Sequence, residues 1–188
     1  MRVRAAGLRV GGGNRAVSGQ RGGEVSARRR AMKKPDSVIL RPVTEDDLPL
    51  IYERQMDADS VRMSGVNPRD ADEFERYWQE TLADPSIVTR SIVADGEVAG
   101  LALCFRVNEL DTVGYWIGRE HWGRGIASAA LVLLVDEVET RPLYATCSKS
   151  NAGSVRVLEK CGFEFLGYEW AEARGRYSAG ELARFRLG

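Results

Sequence analysis

Histidine occurs once in the 188 residues, at position 121. A lone histidine supplies neither a metal constellation nor a nucleophile–histidine–acid triad. It precedes Trp122 in a turn that reads as exposed, and no direct chemical role is expected of it. Cysteine is also scarce: Cys104, Cys147 and Cys161 are an odd number without CxxC spacing. That argues against a disulfide framework and a zinc site, and it fits a reducing cytoplasm. Each cysteine lies in an apolar segment and reads as a small core residue. No run reaches the ~18 apolar residues of a membrane span. After residue 32 there is no internal repeat and no low-complexity tract.

The balance of 27 basic and 27 acidic residues hides an asymmetry. Residues 1–31 carry eight arginines and one glutamate, a net of +7, which leaves 19 basic and 26 acidic residues, a net of −7, in residues 32–188. The first segment has seven glycines, no aromatic residue and no apolar stretch fit for a signal-peptide core. It is expected to be a disordered tail; a sharper reading puts it upstream of a natural start at Met32. An electrostatic arm for nucleic acid and a transit peptide are the other readings. No aromatic interleaves with its arginines to stack on bases. Residues 32–188 are expected to form one domain with a sizeable core.

Along that domain, Val38–Val43 reads as a strand, with Pro42 arguing against a central position. A helix follows from Thr44 to about Gln55, its first turn acidic and holding Pro49. Residues 57–69, with Gly65 and Asn67-Pro68, read as a loop. Its neighbouring methionines, Met56 and Met63, could cover a substrate mouth but are expected to fill gaps in the core. Asp70–Ala83 is a second helix with Phe74, Tyr77 and Trp78 on one face. Thr89–Ala94 and Val98–Val107 are strands around an Asp95-Gly96 hairpin turn, and 110–117 extends the meander.

The chemistry concentrates between Leu110 and Gly162. A strand leads into Trp122-Gly-Arg-Gly-Ile-Ala127, then an apolar helix from Ala127 to Val138, a strand at 142–147, and a helix opened by Ser150-Asn151 and closed by Cys161-Gly-Phe163. This order predicts a parallel strand–helix–strand unit with an anion site at the first helix N-terminus. Gly123 and Gly125 clear space for a diphosphate and permit positive φ; Ala127 keeps the first turn slim. Arg124 can add a charge-assisted contact. The turn is neither a P-loop, since no Gly-Lys-Ser/Thr follows, nor a dinucleotide fingerprint, since the next strand ends at Cys147-Ser148 without an acid.

The joint pattern Val113-Gly-Tyr-Trp-Ile117, Trp122-Gly-Arg-Gly-Ile-Ala127 and Asn151-Ala-Gly-Ser-Val-Arg-Val-Leu-Glu-Lys-Cys-Gly-Phe163 resembles the GNAT N-acetyltransferase superfamily. The branch it is most similar to is that of RimJ/RimL, the ribosomal-protein-alanine acetyltransferases. Leu40-Arg-Pro and Asp46-Asp-Leu-Pro fit as well, so the resemblance covers residues 38–187. It implies an α+β fold: a central mixed, mostly antiparallel sheet of about seven strands with helices on both faces. The fourth and fifth strands would splay, and acetyl-CoA, the cosubstrate, would wedge between them. Its pantetheine arm would pair with backbone groups of Trp116, Ile117 and Gly118. Its pyrophosphate would sit on the amides of Gly123, Arg124, Gly125, Ile126 and Ala127, next to Trp122. Asn151 and Ser154 would face the cofactor.

Two positions depart from the wider superfamily. Trp122 stands where many members carry Gln or Arg. Leu158 stands where many carry a tyrosine that protonates the leaving thiolate, which makes Ser154 the nearest candidate acid. Asp111 aligns with an acid that acts as base in some members; a solvated acid at a strand start is the alternative. The resemblance implies acetyl transfer to a primary amine, a protein N-terminus or a small molecule, by a cytoplasmic monomer or homodimer without metal. A non-catalytic acyl-CoA sensor and a nucleic-acid-binding protein acting through the tail are the rival readings.

Overall fold

The computed structural model describes residues 33–188; the expectations for residues 1–31 lie outside them. Seven strands form one sheet in the order β1-β2-β3-β4-β5-β7-β6. They are β1 (Val38–Pro42), β2 (Val88–Ala94), β3 (Glu97–Val107), β4 (Leu110–Ile117), β5 (Leu143–Ser148), β6 (Glu164–Ala171) and β7 (Gly180–Leu187). The helices are α1 (Leu48–Gln55), α2 (Ala58–Ser64), α3 (Ala71–Ala83), α4 (Ile126–Glu137) and α5 (Ala152–Lys160). All pairings are antiparallel except β4 with β5. Strand β1, with Pro42 at its end, is an edge strand, where a missing N–H costs little.

Local chemistry places most of these boundaries. Asp95 (φ 52°) and Gly96 (φ 85°) turn β2 into β3, both left-handed as a tight hairpin requires. The Asp70 carboxylate caps α3 by accepting from the Glu73 N–H. Pro49 sits in the first turn of α1 after a 3-10 turn over Glu45–Asp47, so the helix proper begins later than Thr44. Residues 57–69 are not a loop throughout. The Asp57 side chain caps the Ser60 N–H, and Gly65 (φ 69°) ends a short helix, α2. Its seven residues carry too little apolar periodicity to stand out in the sequence.

Helices cover both faces. One face packs α4 and α5 on the sheet through buried Ile126, Leu131, Leu134, Leu158, Ala102, Val113 and Phe185. The other packs α1 and α3 through Val43, Ile51, Phe74 and Trp78, so the Phe74 and Trp78 stripe is core as expected. At ~1.5–3 kcal/mol per fully buried large apolar side chain, these two layers drive folding.

Asp47 ties the second layer to the sheet. Its buried carboxylate accepts from both Arg41 terminal nitrogens at 2.6 Å, from Ser91 Oγ at 2.7 Å and from the Thr44 N–H at 3.0 Å. The Arg41 guanidinium, helped by those other donors, holds its pKa well below the usual carboxylate range. A depressed carboxylate stabilises the fold above its unfolded pKa and loses that contribution as pH falls toward the folded one. Asp47→Asn is expected to cost about 2 kcal/mol at pH 7, measured by urea unfolding. It should also flatten the loss of stability that the wild type shows below about pH 4. Equal acid sensitivity in both proteins would remove Asp47 from that role.

Candidate functional site

Strands β4 and β5 share a single register pair, Thr112 with Tyr144, whereas β4 follows β3 through eight pairs. Beyond Thr112 the two strands part. The opening is a cleft of about 540 Å³, lined on one side by β4 from Val113 to Ile117 and on the other by β5 from Ala145 to Ser148. The helix α4 N-terminus (Gly123, Gly125–Ser128) and α5 (Asn151, Ser154, Leu158) line it on one face of the sheet. Residues Ser60, Met63, Ser64 and Val66 line it on the other. The cleft therefore passes through the sheet, with a free strand edge along its wall.

The glycine turn leaves the start of α4 open to the cleft. Gly123 and Gly125 hold φ of 73° and 79°, and a Cβ on Gly123 would meet nothing within 4 Å. Helix α4 has no side-chain cap and no acid in its first turn, so its leading amides and positive dipole end stay available. Trp122 donates from Nε1 to the Ile117 carbonyl at 2.8 Å, closing the turn back onto the end of β4. A Cβ on Gly118 would lie 2.6 Å from Arg54 Nε and 2.6 Å from Glu120 Oε1, so a side chain there would have to displace that ion pair.

Behind the turn lies a charged network. Arg54 donates to Glu120 Oε1 at 3.0 and 2.6 Å and to the Val98 carbonyl at 2.7 Å. Arg124 donates to the Lys33 carbonyl at 2.9 Å and to Asp95 at 3.1 Å. Its guanidinium thus faces the β2–β3 hairpin, and Arg124 does not line the cleft. This corrects the expected side-chain contact with phosphate. His121 is buried, not exposed, with Arg124 3.3 Å from Nδ1 and Arg54 3.2 Å from Nε2. Arginine can only donate, so the neutral ring accepts from one of the two guanidinium groups at a time, and Glu120 Oε1 lies 3.4 Å from Nε2.

The other expected residues divide. Trp116, Ile117, Ile126, Ala127, Asn151 and Ser154 line the cleft. Asn151 uses its Oδ1 to cap α5 through the Ser154 N–H at 3.0 Å. Gly162 (φ 84°) and Phe163 close that helix, with the Phe163 N–H donating to the Leu158 carbonyl. Asp111 does not line the cleft: it lies at the start of β4, 3.9 Å from Arg106 Nε, which favours the reading as a strand-start acid. Met63 lines the cleft instead of the core, and Met56 is exposed. Cys147 lines it too, with burial pushing its thiol up to about 11, while Cys104 is buried as expected.

Sequence reading missed Tyr115, whose hydroxyl lies 3.4 Å from the Ser154 carbonyl across the gap. Burial holds that phenol protonated, above its ordinary range. It also missed Arg156 and Lys160, one turn apart on α5 and both at the cleft. Their i, i+4 spacing was the available signal. Among the described residues lining the cleft, none is acidic. No group of metal-ligating side chains occurs among the described residues.

Residues 37–164 match the acetyltransferase (GNAT) domain family. The chain belongs to that family. It is 29% identical over 154 residues to the aminoglycoside N(6′)-acetyltransferase type 1 of Klebsiella pneumoniae, covering 70% of this chain and 76% of that protein. It is 27% identical over 125 residues to YdaF of Bacillus subtilis, provisionally named a ribosomal N-acetyltransferase, covering 61% and 68%. Among solved structures, RimJ of Mycobacterium smegmatis in complex with CoA-disulfide superposes with a TM-score of 0.66 at 22% identity, covering 80% and 81%. The GNAT fold and an acetyltransferase activity follow from the family, and the splayed β4–β5 edge matches the expectation for it.

His121 gives this network a pH signature. Burial lowers its pKa, so the native state holds the ring neutral while the unfolded chain takes up a proton near pH ~6.5. A depressed histidine contributes stability that is complete above that value and declines as pH falls. Between pH 7 and 5, thermal melts should show a larger drop for wild type than for His121→Gln. Parallel declines would place the titration elsewhere.

Proposed function

We propose that this chain transfers the acetyl group of acetyl-CoA to the α-amine of a protein N-terminus. The observation that carries the reading is the parted β4 edge beside an uncapped helix start. Trp116, Ile117 and Gly118 would pair with the amides and carbonyls of the pantetheine arm. The backbone of Gly123 to Ala127 would take the pyrophosphate, with Trp122 bracing the turn and Asn151 and Ser154 along the arm. Arg156 and Lys160 add positive charge along the same wall.

The chemistry needs little from ionisable side chains. The neutral amine attacks the thioester carbonyl, the new C–N bond forms as the C–S bond breaks, the nitrogen gives up its extra proton to water, and the thiolate leaves as a thiol with a proton from the cleft. Ser154 Oγ is the proposed proton or hydrogen-bond donor, because Leu158 has none to give. Tyr115 reaches the same wall. Asp111 is retained as a base only through intervening water, since it stands outside the cleft lining. Holding amine and thioester in attack geometry supplies most of the rate.

The choice of amine follows from acidity and charge. An α-amine (pKa near ~8) is about a tenth neutral at pH 7, a lysine amine (pKa ~10.4) well under a hundredth. A cleft without a strong base favours the former. A polycationic amine would also want carboxylates at the cleft, and the described lining residues offer none. We further infer that the domain is residues 32–188, that residues 1–31 are dispensable, and that the protein works in the cytoplasm as a monomer or homodimer without nucleic acid. Among the described residues no helix is long and apolar enough to cross a membrane.

Peptides with a free N-terminus should be turned over faster than matched peptides with only a free lysine, measured by release of free CoA thiol. If lysine peptides win, the N-terminal reading is wrong. Ser154→Ala is expected to lower kcat about tenfold or more with little change in acetyl-CoA affinity. Unchanged kcat would remove Ser154 from the reaction.

A further inference from the structure

The hairpin connection between β6 and β7, residues 172–179, is fastened beside the acceptor face of the cleft. The Arg176 carbonyl accepts from the Asn67 N–H at 2.8 Å, and the Ser178 N–H donates to the Gly65 carbonyl at 2.8 Å. Val66 and Tyr177 form an antiparallel bridge between those two bonds. Val66 and its neighbour Ser64 line the cleft. The strap is thus held by main-chain bonds at the mouth opposite the glycine turn.

Charge at this mouth is not balanced. On α2 and its cap, the carboxylates are already taken. Asp59 lies 2.5 Å from both Arg62 and Arg119, and Asp57 lies 3.7 Å from Arg119. Glu169 is paired with Arg184 at 2.8 Å, and Glu172 on the strap accepts from the neutral Trp170 Nε1 at 2.8 Å, so its charge offsets one of the strap's two arginines and leaves the other in excess. Arg174 and Arg176 have no carboxylate within salt-bridge distance among the described residues. Arg176 Nε is moreover buried without any hydrogen-bond partner among them. A guanidinium without a carboxylate partner gains from pairing with one through its terminal nitrogens. Guanidinium forks pair best with planar anions, above all carboxylates.

We propose that residues 172–179 are the docking edge for an acidic peptide, with Arg174 and Arg176 receiving carboxylates that follow the acetylated N-terminal residue. The inference rests on the N-acetyltransferase reading and narrows its substrate: a chain terminus with Asp or Glu close behind it, not a polyamine or other polycation. Neither arginine is among the residues that line the cleft proposed for acetyl-CoA.

The test compares two peptides with the same first residues, one followed by Asp and Glu, the other by Lys and Arg. Wild type should prefer the acidic peptide by about tenfold or more in kcat/KM, with the preference shrinking as salt rises. The Arg174→Glu/Arg176→Glu protein should lose or reverse the preference while its acetyl-CoA affinity by calorimetry stays unchanged. The strap is fastened through the Arg176 carbonyl, so the side-chain change leaves its anchor in place; Arg174→Glu alone, on the exposed side chain, serves as the milder check. Equal turnover of both peptides by wild type, a preference insensitive to salt, or a preference surviving charge reversal would overturn the docking edge and leave the acetyltransferase reading standing. Turnover of neither peptide, with no other amine accepted, would overturn that reading and this inference with it.

Discussion

Everything at the site depends on one interrupted ladder. Strands β4 and β5 run parallel and meet at Thr112 and Tyr144 only. Past that pair, backbone groups along the gap have no strand to bond. Unpaired main-chain groups inside a protein are costly, and the fold tolerates them because the gap opens to a cleft and invites a ligand to complete the sheet. The same pair of strands carries the two helix starts that aim at the gap. Helix α4 follows β4 and α5 follows β5, so the divergence that exposes the strand edge also places the uncapped α4 N-terminus beside it.

The glycine turn stays in place because a half-buried charge network holds it from behind. Arg54, Glu120, His121, Arg124 and Asp95 link α1, the turn and the β2–β3 hairpin. None of these side chains is needed to touch a phosphate. They fix the amides that would. Arginine in such a turn invites assignment as a phosphate ligand, yet Arg124 does its work on the opposite side, where Asp95 both shapes a hairpin and receives the guanidinium. Asp95 also accepts from the Asp36 and Ser37 N–H groups, so the start of the domain is fastened to the same point.

How much of this was legible follows from which interactions are local. The Asp95-Gly96 turn, the Asp70 and Asn151 caps, the Phe74–Trp78 face and the two glycines of the turn are sequence-local, and each was readable. Helix α2 was not, because its cap and its glycine stop bracket too few residues to show a period. The burial of His121 and the outward aim of Arg124 depend on Arg54 and Asp95, which are distant in sequence. The absence of acid from the described cleft lining is likewise non-local, a property of residues 60–66, 113–117, 122–128, 145–148 and 151–160 brought together. Asp111 is a different case: likeness to a residue type suggested a base, while its place at the head of β4 beside Arg106 is off the cleft wall, which no local pattern reveals.

The central claim is that acetyl-CoA is held at the β4–β5 gap by backbone amides at the α4 N-terminus. Titration calorimetry of acetyl-CoA into wild type and Gly125→Asp tests it most directly, since the variant puts a carboxylate where phosphate oxygens would lie while Asp tolerates the left-handed φ better than most residues. Saturable binding by wild type, loss of binding by the variant and an unchanged circular dichroism spectrum are the expected results. Normal binding by a folded Gly125→Asp protein would contradict the account.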